Sequence, residues 1–443
     1  MKTALVLGGS IAGLIAARVL ADHADEVWII EPDLLEDAPV IRRGAPQGSQ
    51  AHALLGKGRA IIEQLLPGIV RQMVREGGQL VTSGPGGVQW FLDGRPKVPV
   101  SSGSAISLSR PFLEWHIRRR VLALPNVVLV KGTATGLTLA GDRVDGALVR
   151  PPGAGDSVRH QADLVVDATG RSSRLSDWIG HHGYPAPKKS RVPVDLGYAT
   201  CLFHRAPGQR LAGHVGAFSL YTPRTADNGP SSMMPVEGDR WLMLISDYGD
   251  RRPGRDSGEF QARCRAHPAL SVRLLPDECE PASEVYVHRF PDSTRRDFDR
   301  LPRFPAGLVA VGDAVASFNP AYGQGMSVAA LQAVALADWL REPGAAEGSA
   351  YLYFRRVREV VDDAWHLSAA QDRYLPHVDV PKPLGWRLRR GLDEAVRSAT
   401  VTDEVVHRAF LNVVNMTATP DRMRRPEILW RAGAAAVRRR RPA

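Results

Sequence analysis

The sequence predicts a mixed α/β (α+β) fold with a Rossmann-like domain built from discontinuous segments, an antiparallel-sheet domain and a C-terminal helical region. Three observations carry this expectation. A short apolar strand, a glycine-rich turn and an Ala-rich helix open the chain at residues 3–21. Two further apolar strands, far apart in sequence, run into small-residue turns, Asp167-Ala168-Thr169-Gly170 and Gly312-Asp313-Ala314. Between them the composition shifts to β-branched and aromatic residues with Gly/Pro turns, and after about Arg341 it turns helical. The expected division is 1–82, 101–182 and 298–345 for the first domain, 83–100 and 183–297 for the sheet domain, and 346–443 for the helical region.

A chain of 443 residues with 44% hydrophobic and 23% charged residues has the composition of a folded protein of two or three domains. Its three cysteines, Cys201, Cys264 and Cys279, form no C-x-x-C pair, so neither a disulfide framework nor a zinc site is expected, and a reducing cytoplasm fits. The net charge of +10 is spread along the chain, and its densest run, Arg438 to Arg441, is not interleaved with aromatics; no nucleic-acid partner is expected. No transmembrane segment is expected either, because even Ser327 to Leu340 carries Gln332 and Asp338. Lys2 followed by apolar residues to Ala21 has the outline of a secretory signal. Arg18 interrupts that run, and Gly8, Gly9 and Gly13 fall where a strand-turn-helix needs them, so a structural βαβ start is the expectation.

The first motif is Thr3 to Leu7, then Gly8-Gly9-Ser10-Ile11-Ala12-Gly13, then a helix with a small-residue face, then a strand Val27 to Ile30 delivering Glu31. Gly8 permits the tight turn, the helix N-terminus offers free N–H groups to a pyrophosphate, Gly13 lets helix and strand approach, and Glu31 suits ribose hydroxyls. Ser10 stands where the fingerprint prefers glycine. The second motif offers Asp167 and Gly170. The third runs through Gly312, Asp313, Phe318-Asn319-Pro320 and Tyr322-Gly323-Gln324-Gly325-Met326 into an Ala-rich helix whose N-terminus suits an anionic ring edge. Asp313 can accept hydrogen bonds from a polyol, or act as a helix N-cap.

Together, G-G-S-I-A-G with Glu31, D-A-T-G at Asp167 to Gly170 and G-D-A…N-P-x-x-G-Q-G-M from Gly312 resemble the FAD-dependent monooxygenases of the aromatic-hydroxylase (p-hydroxybenzoate hydroxylase-like) fold. The segment Gly44 to Leu55 resembles the branch containing the polyene epoxidases of bacterial polyether biosynthesis, with squalene epoxidase more distant. The resemblance covers about residues 1 to 345. It implies FAD bound by Gly8, Ser10, Ile11, Ala12, Gly13, Glu31, Asp167, Gly170, Gly312, Asp313 and Pro320, with Gly323, Gln324, Gly325 and Met326 along the flavin ring. It also implies that Arg110, in Ser107 to Leu113, and Arg43 lie near the cofactor. Arg110 could instead pair with Glu114 at a helix start, either of Arg42 and Arg43 could be solvated, and His52 could face the ring or be a core histidine. The implied activity is transfer of one oxygen atom from O2, through a flavin C4a-hydroperoxide, to a hydrophobic natural-product intermediate: epoxidation of an alkene or polyene, or else hydroxylation. Alternatives are an FAD-dependent reductase of isoprenoid double bonds and a non-catalytic FAD-containing scaffold or cyclisation partner. Only one dinucleotide motif is present, so NAD(P)H binds without a fingerprint or a separate flavin reductase supplies electrons.

For the sheet domain, Tyr198 to Phe203, His214 to Tyr221 and Arg240 to Ser246 read as strands, and Val88 to Leu92 with Pro96 to Val100 as a hairpin around Asp93-Gly94. Candidates for the substrate pocket are Trp90, Phe91, Phe203, Phe218, Tyr221, Met233, Met234 and Met243, most of them expected to be plain core. Tyr351 to Leu367 and Asp403 to Met416 read as amphipathic helices, with Pro376, Pro381 and Pro383 in the loop between. No catalytic residue is named, since a flavin carries the chemistry itself, and no metal-ligand cluster exists in the sequence.

Overall fold

Strands Thr3–Leu7, Glu26–Glu31, Val127–Lys131, Leu164–Asp167 and Leu308–Ala310 are short and mostly apolar because they are buried in one parallel sheet with its faces covered. Their order is 308–310, 164–167, 3–7, 26–31, 127–131, so strands about 140 residues apart lie side by side. The computed structural model describes residues 1–101, 103–222, 229–382 and 384–440; Pro383 of the C-terminal loop and Arg441 of the basic tail lie outside the described residues. Nothing in the motifs marked Val127–Lys131, which closes the far edge. The helix Ile11–Leu20 lies over this sheet and buries eight of its ten residues, packing against the long helix Gly325–Leu340. The Arg-rich stretch around Ile117 to Val121 belongs to the helix Arg110–Leu122. A three-stranded antiparallel sheet, 133–140, 143–150 and 158–161, adds a piece that the motifs did not announce.

The second large sheet has eight strands in the order 316–317, 286–296, 189–204, 240–248, 231–236, 216–220, 88–92, 95–96. The expected hairpin does join it, with a second limb of only Arg95–Pro96. The sheet is antiparallel except at one seam: Val88–Leu92 pairs parallel with Gly216–Leu220. That strand arrives from a distant part of the chain, so no tight turn forces the antiparallel arrangement.

Strand alternation divides the expected pocket residues between the two faces. Phe91, Phe203, Met233 and Met243 point to one side, where they are at most 4% exposed and pack with Phe260, Cys264, Val272 and Leu275 of the helices Ser257–Arg265 and Leu270–Glu278. They are core. On the opposite face Trp90, Phe218, Ser232, Leu244, Thr200 and Tyr286 form one row in register. Thr200 Oγ1 donates to Gln50 Oε1 (2.7 Å) and Gln50 Nε2 to the Tyr286 carbonyl (3.0 Å), which docks the Pro46–Ser49 loop region on this face.

After residue 345 the chain forms the helices Tyr351–Asp372, Trp386–Ala399, Glu404–Val414 and Pro426–Arg440. The first joins the main core through Tyr353, Phe354, Val357 and Val361, while the other three enclose a satellite core of Val396, Ala399, Val406, Ala409, Ile428 and Ala432. Among the described residues, no helix is long and apolar enough to cross a membrane.

Candidate active site

The carboxyl ends of the three adjacent strands 308–310, 164–167 and 3–7 deliver three turns to one edge of the parallel sheet. They are laced by the continuing ladder: Gly8 N–H donates to Ile30 (2.8 Å), Ala168 N–H to Leu7 (2.9 Å) and Val311 N–H to Asp167 (2.9 Å). Gly13 cannot be larger, since a Cβ there would lie 1.8 Å from the Gly8 carbonyl oxygen. Gly312 also packs tightly on the first helix, its absent Cβ 2.7 Å from that of Ala12. Gly8, Ser10, Ile11, Ala12, Gly13, Gly170, Gly312 and Asp313 are thereby brought to this edge.

The helix Ile11–Leu20 begins uncapped, with no acidic residue in its first turn. Ser10 stands at the N-cap position, but its Oγ donates to Glu114 Oε2 (3.0 Å) and accepts from Arg110 Nη2 (2.9 Å). The same Arg110 nitrogen donates to Glu114 Oε2 (2.9 Å), so the two readings of Arg110, pairing with Glu114 and bordering the glycine turn, hold at once. Glu114 Oε1 accepts from Arg42 Nε (2.6 Å), and Arg42 Nη1 reaches Asp33 (3.1 Å) and Glu31 (3.4 Å). Burial raises the Glu114 carboxyl, but Arg110 and Arg42 outweigh it and hold the group below the usual carboxylate range. Glu31 accepts from Gly9 N–H (2.7 Å) and Asp33 N–H (3.0 Å), which ties the second strand's end to the glycine turn.

Arg42, not Arg43, is the arginine of this network. Asp33 accepts from both Gly44 N–H (2.6 Å) and Arg42, which draws Arg42 inward to 8% exposure and leaves Arg43 on the outer side of the turn, in solvent. Asp167 is 0% exposed, and its two oxygens accept from Thr169 (2.9 and 2.6 Å) and Ser173 (2.5 Å). Its carboxylate holds its own turn and has no surface in the cleft; Gly170 and Thr169 keep theirs. Asp313 is partly exposed, accepts from Ser317 Oγ (3.2 Å), and is raised by burial against the pull of Ser317, Arg110 and Arg296.

The last motif wraps beside these turns. Pro320 is exposed, Gly323 turns left-handed at φ 66° with Ala53 3.1 Å from its absent Cβ, and Gly325 opens on free space. The helix Gly325–Leu340 is also uncapped and lacks an acidic first turn; Gln324 is 2% exposed with Oε1 unpartnered, and Met326 is buried. His52 Nδ1 donates to the Gln50 carbonyl (2.9 Å), and burial with nearby Arg110 pushes its imidazole down to about 3, so it is neutral.

One cluster was invisible in the sequence. Asp372, the last residue of its helix and 1% exposed, accepts at Oδ1 from Asn319 Nδ2 (2.9 Å) and the Tyr322 hydroxyl (3.0 Å), while Oδ2 has no partner among the described residues. Burial pushes its carboxyl up to about 7. No spacing signals a residue 50 positions from its partner.

An FAD fits these residues. Two uncapped helix N-termini without nearby first-turn carboxylates suit its pyrophosphate and ring edge, and Gly170 and Gly325 leave space that a Cβ would enter unopposed. Arg110 Nε and Gln324 Oε1 are buried without partners, as groups awaiting a polar ligand would be.

Over 428 residues, 92% of this chain and 88% of the relative, the sequence is 34% identical to protein Rv3254 of Mycobacterium tuberculosis. The chain belongs to that protein's family. Its fold is that of the flavin-dependent monooxygenases and halogenases. The flavin-dependent brominase Bmp2 superposes with a TM-score of 0.69 over 99% of both chains at 15% identity. The p-nitrophenol 4-monooxygenase PnpA of Pseudomonas putida DLL-E4 does so with a TM-score of 0.66, over 94% of this chain and 99% of that one, at 16% identity. No protein-family model matches the sequence.

Two predictions test the family member's site. Arg42→Met removes the shared partner of Glu31 and Glu114 and should cost about 3 kcal/mol in urea unfolding, whereas Arg43→Met should stay within about 0.5 kcal/mol; equal effects would contradict the network. Asp313→Ala should weaken FAD binding at least about tenfold while the eight-stranded sheet stays folded, read as flavin content against circular dichroism. Stoichiometric flavin in that variant would refute the role of the third turn.

Proposed function

We propose that this chain is an FAD-dependent monooxygenase that transfers one oxygen atom from O2 to a hydrophobic small-molecule substrate. The observation that carries the reading is the convergence of the Gly8–Gly13 and Gly312–Asp313 turns at one edge of the parallel sheet, with Ala53 at Gly323 and Gln50 on Thr200 and Tyr286 joining the Gly323–Met326 segment to the eight-stranded sheet. Epoxidation of an alkene or polyene is the first assignment within that class, supported by the Gly44 to Leu55 resemblance. Bound there, FAD supplies the oxygen-activating chemistry. The chain's own residues orient and shield. Arg110 and the uncapped N-terminus of Ile11–Leu20 would hold the phosphates, and the N-terminus of Gly325–Leu340 would stabilise negative charge on the ring edge. Trp90, Phe218 and Leu244 form an apolar wall that excludes water from the reacting centre.

A second reading, hydroxylation of a phenol, is favoured by Asp372. A carboxylate at Tyr322, adjoining the Gly323–Met326 segment, can take a substrate proton that epoxidation does not release. Electrons come from NAD(P)H or a separate flavin reductase. The three buried free thiols suit a reducing, cytoplasmic setting.

Turnover of reduced holoprotein under isotopically labelled O2 tests the class: product should gain one labelled atom. Unlabelled product with a saturated double bond would mean a reductase instead, and no turnover of alkene or phenol panels would favour a scaffold. If hydroxylation operates, rate should rise with pH through about 7 as Asp372 ionises, and Asp372→Asn should abolish that limb with flavin content unchanged. An identical pH profile in the variant would exclude Asp372 as the base.

A further inference from the structure

Lys97 is buried to 4% exposure, and neither the fold nor the proposed chemistry uses its charge. Its ammonium lies 3.8 Å from the centre of the Phe410 ring and 5.9 Å from that of Trp90. Among the described residues, it has no ion pair and no side-chain hydrogen bond. Buried charges are ordinarily paired, and an aromatic face replaces only part of lost hydration. The position is rigidly set. Lys97 N–H donates to the Trp90 carbonyl (2.7 Å), Val98 N–H to Val401 (3.0 Å), and the Val98 carbonyl bonds His407 Nδ1 (2.7 Å), clamping the hairpin limb to the C-terminal helices.

The surroundings lack the anion that such a lysine needs. Burial, then the field of Arg397, pulls the Lys97 amine well below its usual range, and Asp93 opposes them. Asp93 is itself engaged by Thr222 N–H (2.7 Å). Arg397 has no ion pair or side-chain hydrogen bond among the described residues, and its field also reaches Asp372 and Tyr322. His407 is neutral, pushed down to about 4 by burial, and its Nε2 has no partner. The one carboxylate that acts on Lys97 among the described residues is therefore already occupied. Trp90 and Phe218 stack at 4.8 Å, and these two rings and Phe410 all keep accessible surface.

We propose that Lys97 and Arg397 form a subsite for a carboxylate on the substrate, with Trp90, Phe218 and Phe410 holding its apolar or aromatic body. This deepens the monooxygenase reading and rests on it: the hydrophobic substrate becomes a hydrophobic carboxylic acid. The field of Arg397 acts on both Lys97 and Tyr322.

The test is calorimetric titration of the holoprotein with 2-naphthoate and with its uncharged amide, 2-naphthamide, flavin content being measured on the same samples. The carboxylate should bind at least about tenfold tighter at pH 7. Lys97→Met and Arg397→Gln should each bring the two ligands within about threefold of one another, with flavin content unchanged. Arg397 is only half-buried, so its variant guards against misfolding of the lysine variant. Equal affinities in the unaltered protein, a preference that survives both substitutions, or no binding of either probe would overturn the subsite. Because the heat signal does not depend on flavin, a protein without bound FAD that still prefers the carboxylate would sink the monooxygenase reading and leave the subsite standing.

Discussion

Everything in this structure hangs on one close approach, the passage of the first helix over the end of the first strand. Gly13 sits where any side-chain carbon would collide with the Gly8 carbonyl oxygen, and Gly8 itself would collide with Ala168. With no side chains in the way, the helix N-terminus lies directly above the edge of the sheet. Two turns from distant parts of the chain then pack against it through the Ala168–Thr169 and Gly312 backbones. The cleft is thus a property of backbone contact, which side-chain exchange cannot easily recreate.

Behind that edge, charge does what packing alone does not. The Glu31–Arg42–Glu114–Arg110–Ser10 chain spans the glycine turn, the second strand's end and the Arg110–Leu122 helix with buried ion pairs. Buried pairs of this kind contribute little net stability but penalise every arrangement that leaves one member alone. Their use here is to fix Ser10 and Arg110 beside an uncapped helix start. Ser10, a departure from the glycine fingerprint, is accommodated because its hydroxyl turns to Arg110 and Glu114.

The glycine turns were legible because each rests on local rules: a strand too apolar to be exposed, followed by residues that only a tight backbone needs. The hairpin at Asp93-Gly94 and the helical C-terminal region were legible for the same reason. Tyr286–Arg296 was not, since its many polar residues hide a strand whose inner half is buried in the second sheet. The choice between Arg42 and Arg43 turned on Asp33, which pulls one of two adjacent arginines inward. Asp372 and Lys97 escaped notice because a carboxylate ending a helix and a lysine after a hairpin turn read as solvated until distant elements cover them.

The central claim is that this edge binds FAD. Its most direct test is the visible absorption spectrum of the purified chain, with extracted flavin identified by chromatography before and after incubation with excess FAD. A protein carrying about one FAD per chain, tightly enough to survive gel filtration, is the predicted result. A folded chain that takes up no flavin, or takes up FMN and FAD equally, would contradict a cleft built around the pyrophosphate.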